Sequence, residues 1–399
     1  MKEDIFIVGM GIVTSLGVGK KQTMRSLRQE VPAVGKVGYL NTIHDSLPMG
    51  EVPYSDMQLK QMLGLDEATK TTRTTLLGRL ALKEALEESR LQEMRPRRVA
   101  FISGTTVGGM EKSENFYLDF ISNMDHYEYI AMHDCGACTD MISEEYKGKF
   151  DFQTTISTAC SSAANAVILG ANLIRSEIVD AAVVGGSECL TKFHINGFNS
   201  LMILDKEPCR PFDKNRAGLN LGEGAGYIVL ESSQSVMQRG VGTLCRLSGY
   251  GNACDAYHQT ATSPNGEGPY LAMLLALSES GLKPEDIDYV NAHGTGTPNN
   301  DLSEGIAMER IFGANMPPVS STKSFTGHTT SASGGVESVI SILSMLNNYV
   351  PASLGCKTRI DELGFMPSCK GIENVEIKNV LNNSFGFGGN DSSLVFSKY

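Results

Sequence analysis

"LLGRLALKEALEESRLQEMRPRRVAFISGTT" (residues 76–106) reads as an amphipathic helix, a polar loop, a short apolar strand and a Gly-Thr turn. The same order returns in "LAMLLALSESGLKPEDIDYVNAHGTGT" (271–297). After each copy comes a second strand that ends in small residues and runs into a helix rich in glycine and alanine. In the first half this is "QTTISTACSSAANAVILGANLIR" (153–175), and in the second "VSSTKSFTGHTTSASGGVESVISIL" (319–343). Helix and strand patterns alternate along the whole chain, which predicts an α/β fold. If the halves pack about a pseudo-twofold axis, the ends of the second strands meet. Cys160 and the Lys323-to-His328 segment then fall at corresponding places. No low-complexity linker separates the halves, and the boundary is expected near Ser233 to Gly240, giving units 1–236 and 237–399.

Bulk properties narrow the function. The chain has 399 residues, 41% of them apolar, which is ample for a large core. A net charge of −11 and a pI near 5.2 argue against a general nucleic-acid binder. The nine cysteines are irregularly spaced and odd in number, so a reduced, cytoplasmic compartment is expected rather than a disulfide scaffold. "MKEDIFIVGMGIVTSLG" reads as a first strand and a glycine turn, not a signal peptide. No segment reaches the ~20 apolar residues of a membrane span, so no membrane partner is expected.

Cys160 stands where a β-branched run gives way to a helix-forming one. The unpaired N–H groups and dipole of a helix start favour thiolate over thiol, which predicts a reactive cysteine. The competing reading is a small buried core residue. Three other segments carry chemistry-bearing residues: His293 in "NAHGTGTPNND", Lys323 and His328 in "SSTKSFTGH", and a glycine loop around Phe385 and Phe387 in "NNSFGFGGNDSS". Each alone reads as ordinary structure.

Together with Cys160 these motifs resemble the β-ketoacyl-acyl-carrier-protein synthases, closest to the synthase II type. The resemblance runs from "VGMGIVTSLG" through "GGSE", "RPFDKNRAGLNLGEGAGYIVLE", "DAYH", "NAHGTGT", "STKSFTGH" and "GGVES" to "NSFGFGG". It implies a thiolase-like five-layered αβαβα sandwich and a dimer, either a homodimer or a heterodimer. It implies that Cys160 takes an acyl chain from a phosphopantetheine thioester carried by acyl carrier protein. The backbone N–H groups of Cys160 and Phe387 would form the oxyanion hole. His293 and His328, as neutral imidazoles, would stabilise the enolate left when malonyl-acyl carrier protein loses CO2. Lys323 would organise the site, with Glu337 as its counter-charge. Thr295 and Thr297 match positions that bind the pantetheine arm. Val107, Phe198 and Phe387 match the acyl path and its gate. No redox or nucleotide cofactor is required. Asn291, Glu337, Asn382 and Asn383 match positions that hold structural sodium or potassium in some relatives; an ordinary hydrogen-bond network is the competing reading.

Fatty-acid elongation is the expected role, and a specialised ketosynthase of a polyketide or aryl-polyene pathway is the alternative. Polar residues Asp134, Thr139 and Asp140, in "AMHDCGACTDMISEEY" with Met132, are expected to line the far end of the acyl path. "GHTTSASGG" is more polar than the usual run, and Asp391 in "GGND" stands where the family usually has Asn. Lys70, Arg73, Lys192, Lys206 and Arg210 are candidates for docking the acidic carrier. A coenzyme-A-dependent thiolase is disfavoured by the Phe-Gly-Phe-Gly-Gly loop. A chain-length-factor-like partner is disfavoured by the presence of Cys160. A metal or redox site on Cys135 and Cys138 lacks a second ligand pair; a helical segment facing an interface is expected there.

Overall fold

Thr72 begins the first copy of the repeat by accepting a hydrogen bond from the Thr75 N–H, which caps helix α1 (Arg73–Ser89). Arg90 ends it in the left-handed conformation, at φ 52°. Strand β2 (Val99–Gly104) follows, buried along its whole length as a strand between two helical layers must be. The structure is a computed structural model and describes residues 3–123 and 125–399. The second copy folds the same way, as a helix over Glu267–Ser280 closed by Gly281 at φ 71° and a strand over Tyr289–Asn291.

The ten principal strands are β1 (Ile5–Thr14), β2, β3 (Phe152–Ile156), β4 (Ala181–Glu188), β5 (Gly224–Ser232), β6 (Cys245–Cys254), β7 (Tyr289–Asn291), β8 (Val319–Ser320), β9 (Asn379–Gly386) and β10 (Asn390–Ser397). They hydrogen-bond in the order β3-β2-β4-β5-β1-β6-β10-β9-β7-β8. Each half of that order repeats the other. Going outward from the centre, β1–β5 and β5–β4 are antiparallel while β4–β2 and β2–β3 are parallel. On the other side β6–β10 and β10–β9 are antiparallel while β9–β7 and β7–β8 are parallel. The halves join where Phe6 and Ile7 pair with Arg246 and Cys245. The chain crosses between them through a short helix, Ser233–Arg239.

Helix α2 (Cys135–Ser143) covers the β3 end of the first half. Two helices fill the space between the half-sheets: α3 (Ser162–Arg175) and α7 (Ser333–Asn347). The latter is buried from Ser333 through Met345, as a central helix must be. Helix α1 covers the outside of one half-sheet; α5 (Glu267–Ser280) and α6 (Pro298–Phe312) cover the other. The result is the expected five layers. The central helices cross so closely that a Cβ on Gly334 would lie 2.5 Å from the Ala164 nitrogen, so glycine is required there. Because β3 precedes α3 and β8 precedes α7, Cys160 and Lys323-to-His328 occupy equivalent strand-to-helix junctions.

Candidate active site

The turn after β3 presents Cys160. Ala159 sits at φ 51°, an uncommon conformation for a residue with a Cβ. It is held there by side chains: Ser162 Oγ donates to Ala159 O at 2.6 Å and accepts from the Thr158 N–H at 2.9 Å. Ser161 Oγ reaches across to Asn390 Oδ1 at 2.8 Å, tying this turn to the glycine loop. Cys160 Sγ lies 3.1 Å from His328 Nε2 and accepts the Phe387 backbone N–H.

Position at a helix start does not lower the resting thiol's pKa, contrary to the expectation from sequence. Burial pushes Cys160 up to about 11, against the pull of the Lys323 charge and the Phe387 N–H. The helix begins only at Ser162, so Cys160 lies outside its first turn and desolvation dominates.

His293 ends β7. Its backbone N–H and that of Gly294 are both held, at 2.8 Å, by the buried carboxylate of Glu304 on α6. Its ring meets that of His328 edge-on, with centroids 5.2 Å apart, and its Nδ1 has no partner among the described residues. Burial and then the Lys323 charge hold both imidazoles well below the ordinary range, so both are neutral. His328 Nδ1 lies 2.9 Å from the Ser333 hydroxyl, which can donate or accept. One ligand-type atom from each of Cys160, His293 and His328 lies within 4.8 Å of the others.

Lys323 is buried and paired with Glu337. Burial raises the Glu337 carboxyl to about 7 despite Lys323, and Glu304 also to about 7. The Phe387 ring stacks on Phe198 with centroids 5.6 Å apart at 19°. A cavity of about 400 Å³ leads out from Cys160, His293, His328 and Phe387 past Thr295 and Thr297, whose hydroxyls are 2.9 Å apart. Val107 is buried and does not border this cavity.

The four oxygen-bearing residues divide. Asn291 Oδ1, Asn382 Oδ1 and Glu337 Oε2 are buried without hydrogen-bond partners among the described residues. Asn291 and Asn382 are register partners across β7 and β9, and Asn291 Nδ2 donates to Glu337 O at 3.3 Å. The Asn383 side chain departs from the set, since it binds Glu304 and Ser393 instead.

One other expectation needs correction. Arg73 is no docking residue, because its guanidinium is buried against Glu223 and Asp56, at 2.6 and 2.9 Å. Lys70 pairs with Glu128, Arg210 with Asp205, Lys192 binds Asn115, and Lys206 is exposed. Asp134 and Asp140 are exposed on the single chain, and Asp140 accepts from Gln153. Thr139 is buried but is bonded to Thr155 at 2.6 Å. Met132 is half-buried in a short 3-10 turn. Cys135 opens α2 and Cys138 is buried against Thr75; burial raises their thiols to about 11 and 12. Among the described residues, neither belongs to a group with metal-ligand spacing.

Glu304, Ser333 and Glu188 were not anticipated. Glu188 accepts from the Thr105 hydroxyl at 2.6 Å, from Thr106, and from the Ser331 hydroxyl at 2.6 Å. The only local signal for it was "GGSE" at a strand end.

Comparison with known proteins agrees with this geometry. Residues 2–235 match the model for the β-ketoacyl synthase N-terminal domain, and residues 244–357 that for the C-terminal domain. The chain is 32% identical over 409 residues to 3-oxoacyl-[acyl-carrier-protein] synthase 2 of Staphylococcus aureus, covering 99% of this chain and 98% of the relative. It is 31% identical over 415 residues to the Synechocystis enzyme of the same name, covering 100% and 99%. Among solved structures, the ishigamide ketosynthase/chain length factor superposes at a TM-score of 0.90 with 26% identity, covering all of both chains. A chain of the complex of the ketosynthase ApeO with its chain length factor ApeC from Xenorhabdus doucetiae does so at 0.82 with 30% identity, covering 100% and 98%.

Proposed function

The chain belongs to the β-ketoacyl synthase family, and we propose that it catalyses decarboxylative condensation of an acyl thioester with malonyl-acyl carrier protein, as in fatty-acid elongation. The observation that carries this reading is the convergence of Cys160, His293 and His328 at the floor of one cavity. In the first half-reaction Cys160 Sγ bonds to the acyl carbonyl carbon. Its proton leaves along the 3.1 Å contact to His328, and the pantetheine thiol departs with a proton. The Phe387 N–H faces the new thioester.

In the second half-reaction the malonyl carboxyl–carbon bond breaks, CO2 leaves, and the electron pair becomes an enolate. A neutral imidazole can donate one N–H to the enolate oxygen without protonating its carbon. The Ser333 hydroxyl accommodates either tautomer of His328, so one ring serves both steps. The carbanion attacks the acyl-Cys160 carbonyl, the C–S bond breaks, and 3-oxoacyl-acyl carrier protein leaves.

Asn291, Asn382 and Glu337 are a fitting seat for sodium or potassium, because their orphaned oxygens suit a hard monovalent cation. Such an ion would balance Glu337 together with Lys323.

Specialised ketosynthase function is the second reading, favoured by the likeness to the complex of the ketosynthase ApeO with its chain length factor ApeC, which also makes a heterodimer the alternative to a homodimer here.

The test is Cys160→Gln. It should lose condensation while retaining CO2 release from malonyl-acyl carrier protein, and in the unsubstituted protein peptide mass should place the acyl adduct on Cys160. Loss of CO2 release in this variant, with retention in His328→Ala, would overturn the assignment of roles.

A further inference from the structure

The N–H group that faces Cys160 belongs to a hairpin tip rich in glycine. Gly386 pairs with Asn390 across β9 and β10, and the tip between them is Phe387, Gly388 and Gly389. The two glycines sit at φ 83° and 76°, a region that favours residues without a Cβ. Phe387 supplies the N–H that Cys160 Sγ accepts, and its ring stacks on Phe198 of helix α4 (Lys192–Ser200). On the far side, backbone bonds hold the tip. The Gly388 N–H donates to Gln259 O, and Gly389 O accepts from the Asp255 N–H, both at 2.8 Å. On the side of Cys160 the tie is made by side chains.

Ser161 and Asn165 stand one helical turn apart at the start of α3, where the Asn165 N–H donates to Ser161 O at 2.9 Å. The Ser161 hydroxyl has one hydrogen and two acceptors, Thr158 O at 2.7 Å and Asn390 Oδ1 at 2.8 Å, so it cannot serve both fully. The Asn165 amide has two hydrogens. One goes to Thr158 Oγ1 at 2.8 Å, just before Ala159, and the other to Asn390 Oδ1 at 2.6 Å. Its oxygen accepts from Ser392 Oγ at 2.9 Å and from Asn252 Nδ2 at 3.1 Å. Both hydrogens and both lone pairs of this amide are therefore used, and they fix the turn that carries Cys160 to the strand that closes the hairpin. The two segments fit closely, since a Cβ on Gly386 would lie 3.1 Å from Thr158 O and 3.2 Å from Ser161 Oγ.

We propose that Asn165 is a positioning residue for acyl transfer, which holds the hairpin tip so that the Phe387 N–H stays aimed at the reacting carbonyl oxygen; this rests on the condensing function proposed above. When Cys160 Sγ bonds to the acyl carbon, a carbonyl electron pair moves onto oxygen. Donors already in place stabilise that charge, whereas donors that must first be moved spend part of the gain on reorganisation. A misplacement of about 1 Å at a reacting centre can cost about 100-fold in rate. Substrate binding draws on the wider cavity, which Asn165 does not line, so loss of the clamp should fall on the rate and spare KM.

The experiment follows two reactions of Cys160, acylation by an acyl-carrier-protein thioester and alkylation by iodoacetamide, which displaces iodide and develops no oxyanion. Asn165→Ala should lower the maximal acylation rate by at least about 10-fold and change KM by less than about twofold. Alkylation should stay within about twofold of the unsubstituted protein, because the thiol itself is untouched. Asn165→Gln, which keeps the amide on a longer stem, should recover most of the lost acylation. Asn165→Asp, equal in size but with no hydrogens to offer Asn390, should lose at least as much acylation as the alanine variant and serves if that variant does not fold. An acylation rate within about twofold of the unsubstituted protein, or a loss expressed in KM alone, overturns the inference. So does a parallel loss of acylation and alkylation, which would make Asn165 a residue of the fold only. All three results leave the condensing function intact. Failure of the unsubstituted protein to acylate Cys160 overturns the condensing function itself.

Discussion

Asp391 is fully buried, and neither carboxyl oxygen has a hydrogen-bond partner among the described residues. Burial first, then the charges of Asp255 and Glu304, raise it to about 8. Its register partner across β9 is Phe385, whose ring is 5.9 Å from that of His293, so an acid here is one residue removed from the reacting groups. The linkage has a definite sign. An acid with a higher pKa folded than unfolded stabilises the fold in its protonated form. That contribution is complete below the unfolded pKa of about 4 and disappears as pH rises to the folded value near 8. Asp391→Asn removes the titration. Its stability relative to the unsubstituted protein should therefore improve by at least about 2 kcal/mol between pH 4 and pH 9. Urea unfolding across that range checks this. A constant offset at every pH would mean that Asp391 keeps an ordinary pKa.

At the scale of elements, the first turn of α1 shows what sequence could and could not reveal. Arg73 opens a helix in a polar segment, where local pattern predicts an exposed cation. Its partners Glu223 and Asp56 come from distant parts of the chain, and the Glu223 carboxylate also holds the Val52 and Leu190 N–H groups. Replacing Arg73 by Ala strands a buried carboxylate. It should cost about 3–5 kcal/mol in urea unfolding, the usual penalty for breaking a buried pair. Where the variant remains folded, KM for carrier-bound substrate should rise no more than KM for a small pantetheine mimic. Lys206→Glu, on the surface, should raise the carrier-bound KM selectively. A selective carrier effect at Arg73 with stability unchanged would restore it as a docking residue. The same distinction holds elsewhere. The repeated helices and strands were legible because their apolar periodicity is local. Cys160, His293, Lys323 and His328 were legible because their motifs resemble a family's. Glu304 was not, since an acid on a helix looks solvated until the fold brings it beneath His293. The Cys160 thiol was misjudged because helix position is visible in sequence and desolvation is not.

At the scale of the molecule, the two half-sheets end differently. The five residues of β3 form the outer strand of the first half, pairing only with β2 among the described strands. Phe152 and Gln153 are exposed, and the strand carries no Lys or Pro to discourage pairing. Elsewhere in the same half, Tyr117, Leu118, Ile121, Tyr127 and Ile130 are exposed as well. An open edge invites a further strand, and a second copy would supply it about a twofold axis. Antiparallel self-pairing of a five-residue strand puts its middle residue, Thr154, opposite itself. Thr154→Lys would then set two ammonium groups face to face across the axis. Sedimentation analysis should find a dimer for the unsubstituted protein and an association at least about 10-fold weaker for the lysine variant. The half-buried position tolerates a long side chain that snorkels, so the folded monomer should survive. A lysine variant as firmly dimeric as its parent would place the interface elsewhere. A parent that is monomeric alone would instead leave the β3 edge to a different subunit, as in a ketosynthase paired with a chain length factor.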